Sequence, residues 1–114
     1  MKSRNDSIIR LKKFQVDEKR RQLSQIELMI ADFNKMADEL DVQINAEQDR
    51  TGIDDMNHFA YSTFAKAAVT RRDNLRQSGA HMQGQLEAAQ DALAEAVEDL
   101  KNCLLYTSPS PRDS

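Results

Sequence analysis

A three-four spacing of positions runs through the first half of the chain and lands on Ile9, Lys12, Val16, Lys19, Leu23, Ile26, Ile30, Phe33, Ala37, Leu40 and Ile44. Nine of the eleven are apolar, and neither Pro nor Gly interrupts the run. A heptad seam of this kind predicts one long helix that grips a partner helix along a single stripe. A second run lands on Tyr61, Phe64, Ala68, Arg72, Leu75, Gly79, Met82, Leu86, Ala89, Leu93, Ala96 and Leu100. It fits less well before Leu75, where two successive four-residue steps around Ala68 read as a stutter that locally unwinds a supercoil. From Met82 onward the seam is regular.

Between the runs, INAEQDRTGIDDMNHFAYSTF breaks the heptad and carries helix punctuation. Gly52 can supply a left-handed cap that ends the first helix, and Asp54, Asp55, Asn57 or Ser62 can cap the next. The pattern therefore predicts a helix over residues 6 to 50, a turn over 51 to 58 and a helix over 59 to 102. Each helix would be roughly 65 Å long at 1.5 Å per residue. So short a connection returns the second helix beside the first, and the expected fold is all-α, a long antiparallel two-helix coiled-coil hairpin.

Composition agrees with that picture. With 31% charged residues, 5% aromatic residues and no Trp, the chain lacks the bulky side chains of a thick globular core. No stretch approaches the length of an apolar membrane span, and MKSRNDS leads into no apolar signal core, so a cytoplasmic protein is expected.

Charge adds an orientation. Residues 1 to 21 hold eight Lys and Arg against three acids, a local balance of +5 in a chain whose net charge is -3. In QLEAAQDALAEAVEDLKN, by contrast, Glu87, Asp91, Glu95, Glu98 and Asp99 face one base, Lys101. In an antiparallel hairpin turning near Asp55, residues whose numbers sum to about 110 sit level. The basic opening then lies against the acidic stretch, and the two cationic misfits of the first seam, Lys12 and Lys19, are expected to pair near Glu98 and Asp91.

The last twelve residues, CLLYTSPSPRDS, differ from the rest. They hold both prolines of the chain and its only Cys, and the heptad is expected to dissolve within them. The string LLYTSPSPRD resembles translated adapter sequence, so residues 103 to 114 are expected to be a disordered, non-native tail, with the native protein continuing past Asn102. Under that expectation Cys103 and Tyr106 carry no functional weight.

Candidate chemistry is sparse. His58 and His81 have no third ligand in view, and Asp49, Asp54 and Asp55 flank Gly52 without the alternating order of a calcium loop. Gly79 and Gly84 fit no phosphate-cradling pattern. A lone Cys forms no internal disulfide. No catalytic residue, metal or cofactor is expected, and no enzyme. A basic segment leading into a heptad also suggests a zipper-type DNA-binding protein, but Phe14, Val16, Asp17 and Glu18 interrupt the basic face in KKFQVDEKRRQ, so nucleic acid is not an expected partner.

Four stretches, taken in order, carry a resemblance: RLKKFQVDEKRRQ near the start, IADF at 30 to 33, NHFAY at 57 to 61 and AKAAVTRRDNL at 65 to 75. Together they resemble the flagellar export protein FliJ family in its alphaproteobacterial form, over about residues 1 to 102. The resemblance implies a coiled-coil stalk like that of rotary ATPases. Its implied setting is the cytoplasmic side of the flagellar base, within the type III export apparatus. The implied partners are the flagellar export ATPase, the cytoplasmic domain of the export gate and export chaperones. Lys12, Lys13, Phe14, Lys19, Arg20 and Arg21 at the open end are the candidate ATPase contacts. His58, Phe59, Tyr61 and Phe64 beside the turn are either a gate contact or a local staple closing the bend. Family members usually run longer, with more charged helix after the point where this chain changes character. The competing expectation is a generic coiled-coil adaptor or structural rod, dimerising in parallel through the first heptad alone.

Overall fold

The computed structural model describes residues 4–107; the expected tail beyond Thr107 lies outside the described residues. Three helices follow one another: α1 (Arg4–Thr51), α2 (Thr63–His81) and α3 (Gln83–Thr107). The chain is an all-α antiparallel helical hairpin, in which α1 is the first arm and α2 with α3 the second.

Helix α1 runs without a break for 48 residues because nothing in it opposes helix formation. Its outward faces carry pairs three residues apart, Asp17 with Arg20, Glu18 with Arg21 and Glu47 with Arg50. Pairs at this spacing on an exposed face favour the helix only weakly. Gly52 ends the helix with φ 74°, and its N–H donates to the Gln48 carbonyl at 2.8 Å. This left-handed cap is the one expected from the sequence.

Contacts divide the hairpin into two units, each an antiparallel helix pair. One is Glu27–Gln83, and the other joins the part of α1 up to Ile26 with α3 from Gly84 on. In the first, Ile44 packs against Ala68 and Val69, with Leu40 against the same cluster. In the second, Gln15 and Lys19 of α1 share a groove with Ala92 and Ala96 of α3.

Every position of the first seam is buried or half-buried, Lys12 and Lys19 included. The second seam is covered from Tyr61 to Leu100 with one exception. Phe64 is 54% exposed, and Ala65 beside it is fully buried. With Ala65 in place of Phe64 the spacing becomes an unbroken four-three alternation, so the expected stutter is absent. The physical reason is width. The best-covered residues include Ala37, Ala65, Ala68 and Ala96, and Gly79 is buried with its Cα side toward Phe33 and Asn34. Helices that approach on small side chains leave no room between them for a phenyl ring.

Three further expectations are corrected. The second helix starts at Thr63, not near residue 59, and is interrupted at Met82, whose N–H is shared between the Ser78 carbonyl at 3.3 Å and the Gly79 carbonyl at 3.2 Å. This is a single tightened turn in a stretch that Gly79 and Gly84 weaken. Lys12 and Lys19 form no ion pair with Glu98 or Asp91; Lys19 borders a groove with Glu95 and Asp99 instead. The later start of α2 moves the midpoint of the bend by about two residues, and hence the level partner by about one helical turn. Lastly, Cys103 to Thr107 belong to α3, with Cys103 half-buried one heptad step past Leu100. No helix breaker intervenes before Pro109.

The glycines separate by role. Gly84 has open space where a Cβ would stand, whereas Gly52 needs its positive φ. Gly84→Ala should raise stability by about 0.5 to 1 kcal/mol, and Gly52→Ala should lower it by about 1 kcal/mol or more. Urea denaturation followed by circular dichroism measures both; an increase for Gly52→Ala would contradict the cap.

Candidate interaction surfaces

The bend is built by residues that close it locally. Asp55 accepts from the Asn57 N–H on its side chain at 2.9 Å and from the His58 N–H on its carbonyl at 3.0 Å, turning the chain back. The His58 carbonyl then accepts from the Tyr61 N–H at 3.0 Å, and His58 Nδ1 accepts from the Ala60 N–H at 3.0 Å. Ser62 caps α2 by accepting from the Ala65 N–H at 3.2 Å.

Two side-chain bonds tie this cap to α1. Ser62 donates through its hydroxyl to Glu47 Oε2 at 2.6 Å, and Gln48 Nε2 donates to the Tyr61 hydroxyl at 2.8 Å. Glu47 also receives both Arg50 bonds at 2.8 Å. The Arg50 bonds chiefly, and the Ser62 bond after them, hold the Glu47 carboxyl down at about 2.

The four turn-end candidates therefore do not form one cluster. Tyr61 is buried and bonded to α1, as a staple is. Phe59 is 96% exposed and stacks on His58, with ring centroids 4.7 Å apart. Phe64, displaced from the seam by Ala65, leans over a groove of about 470 Å³ whose apolar lining includes Met36, Leu40, Ala67 and Leu75, with Glu39, Gln43 and Arg71 at its edges. Heptad spacing alone did not place this groove, because it assigned Phe64 inward.

At the open end, Lys13, Phe14, Arg20 and Arg21 are exposed, while Lys12 and Lys19 are half-buried along the seam. Arg20 and Arg21 engage Asp17 and Glu18 of their own helix. A groove here is lined by Phe14, Gln15, Glu18 and Lys19 from α1 and by Ala92, Glu95, Ala96 and Asp99 from α3.

Sequence reasoning missed an ionic clasp in the first unit. Arg72 donates to Asp41 at 2.8 Å, and Arg76 bridges Asp41 at 2.6 Å and Asp38 at 3.0 Å. The Arg72 bond first, and Arg76 after it, hold the Asp41 carboxyl below the usual range despite its partial burial, which acts the other way. A signal was available: Arg72 is a cation on a seam position, and the level rule sets it beside Asp38.

Among the described residues, no group of three or more His, Cys, Asp or Glu is placed to hold a metal ion, and no helix is long and apolar enough to cross a membrane. The chain matches no protein-family model, no curated protein and no solved structure.

Glu47 gives a pH signature. Its folded pKa lies below its ordinary 4.5, so its contribution to stability is fully present above about 4.5 and is lost as pH falls toward about 2. The urea midpoint of the wild type should fall more steeply across that window than that of Glu47→Gln; parallel curves would contradict the latch. For the half-exposed clasp, a double-mutant cycle of Asp41→Ala with Arg72→Ala should return a coupling of about 0.5 to 1 kcal/mol that shrinks with salt.

Proposed function

We propose that the chain is a non-enzymatic coiled-coil stalk of the flagellar type III export apparatus, linking the export ATPase ring to the export gate and export chaperones. The observation that carries the proposal is a helical hairpin whose two units differ in chemistry. In one unit α1 turns Lys13, Phe14, Arg20 and Arg21 outward beside an acidic α3, and in the other the outward side chains are the aromatics Phe59 and Phe64. A linker between two unlike partners needs such a division. The resemblance of RLKKFQVDEKRRQ and NHFAY to the FliJ family supplies the biological setting.

On this reading the roles of the turn aromatics separate. Tyr61 closes the bend, and Phe59 and Phe64 are the contact residues for the gate, since exposed aromatic rings bury large area at little entropic cost. The α1 cations Lys13, Arg20 and Arg21 meet the ATPase ring, with electrostatics setting encounter and orientation more than affinity.

Purified export ATPase and the cytoplasmic domain of the gate, each titrated separately with the chain, test this. Phe59→Ala with Phe64→Ala should leave helicity intact and weaken gate binding by about tenfold or more. Lys13→Glu with Arg20→Glu should weaken ATPase binding in a salt-dependent way. Absence of wild-type binding to both proteins would contradict the proposal and leave the generic adaptor as the better account.

A further inference from the structure

The groove at the open end is divided lengthwise into two chemically opposite walls. The α1 wall presents Phe14, 58% exposed, and the Lys19 ammonium; the α3 wall presents Ala92 and Ala96 with the carboxylates of Glu95 and Asp99. The third carboxylate of the lining, Glu18 on α1, is already taken by Arg21. Neither Lys19 nor Glu95 nor Asp99 has an ion-pair partner among the described residues.

Each wall is thus the complement of the other: an aromatic knob and a cation on one side, an alanine floor and two anions on the other. A two-fold axis through the groove exchanges the walls, laying the α1 wall of one copy on the α3 wall of its mate. That is the defining property of an isologous interface, in which a single patch is complementary to itself. Ile8 and Leu11 extend the contact, since their spacing to Gln15 places them on the same face of α1, and they are 40% and 53% exposed. Four helices then surround the two Phe14 rings, an arrangement that covers apolar surface a lone helix pair leaves in water.

We propose that two copies of this chain pair through this groove, Phe14 of each seated on Ala92 and Ala96 of the other, and Lys19 of each against Glu95 and Asp99 of the other. The pairing does not rest on the export reading. Should that reading hold, pairing covers Phe14 and Lys19, which belong to the end assigned to the ATPase ring, so paired and ring-bound states exclude one another.

Sedimentation equilibrium of the chain alone, over a concentration and salt series, tests the pairing without any export protein. The wild type should reach twice the 13.0 kDa of one chain, with an apparent Kd that weakens as salt rises. Lys19→Glu should weaken it about tenfold or more, as should Glu95→Lys with Asp99→Lys, because each variant sets like charges face to face. Mixing the two variants should restore the doubled mass, since every charged contact between unlike copies is then attractive. Pairing within one chain cannot produce that rescue. Circular dichroism checks that each variant remains helical, and Phe14→Ala, whose ring is largely exposed, provides a variant that spares the fold. A wild type that stays at one chain's mass at every concentration would overturn the proposal. So would a dimer indifferent to both Phe14→Ala and the charge reversals, or a mixture that fails to associate.

Discussion

Two helices in a hairpin have only each other to bury against, and this constraint governs the rest of the structure. A helix pair covers one stripe of each partner, so among the described residues no large side chain becomes fully buried, and the tightest positions belong to Ala37 and Ala65. Small residues let the backbones approach, and dispersion and apolar burial then act along the whole seam even though each residue contributes little. The close approach at Ala65 and Ala68 also expels Phe64, and the expelled ring borders the groove of the first unit. Coverage and exposure here have one cause.

A repeating apolar seam holds helices together but specifies their sliding register weakly, because one heptad resembles the next. Directional bonds supply what the seam lacks. Near the bend, Glu47 meets Ser62 and Gln48 meets Tyr61; farther along, Asp38 and Asp41 meet Arg72 and Arg76. These bonds join partners on opposite helices, so a shift by one turn would break them together. Half-exposed ion pairs add little stability, and their value lies in selecting one alignment over its neighbours.

Much of the fold was legible in the sequence. The first seam was read position by position, since Ile9 through Ile44 carry an unbroken heptad, and Gly52 announced the cap that its φ of 74° confirms. What escaped reading depended on distance between backbones, which a hydrophobicity pattern does not encode. Phe64 outranks Ala65 in apolarity yet loses the seam to it. The pairing of Lys19 failed because four residues of misjudged bend displaced its level by a turn. The end of α3 was misjudged for a different reason: Cys103 to Thr107 were grouped by composition with the proline-bearing tail, although nothing in those five residues stops a helix. At the candidate surfaces, the sequence marked Phe59 without deciding between contact and staple and placed the cations of α1, whereas the ionic clasp and the walls of the two grooves required facing helices to be placed.

In each unit an antiparallel helix pair joins a stretch of α1 to a returning stretch of the same chain. The central claim is that α1 pairs with the second arm of its own chain, in antiparallel register. Cross-linking tests it most directly: Asp38→Cys with Arg76→Cys, in a Cys103→Ser background, treated with a short bismaleimide and resolved under denaturing conditions. The account predicts a looped single chain as the main product at every dilution. A product that is chiefly two chains joined together, and that fades on dilution, would contradict it.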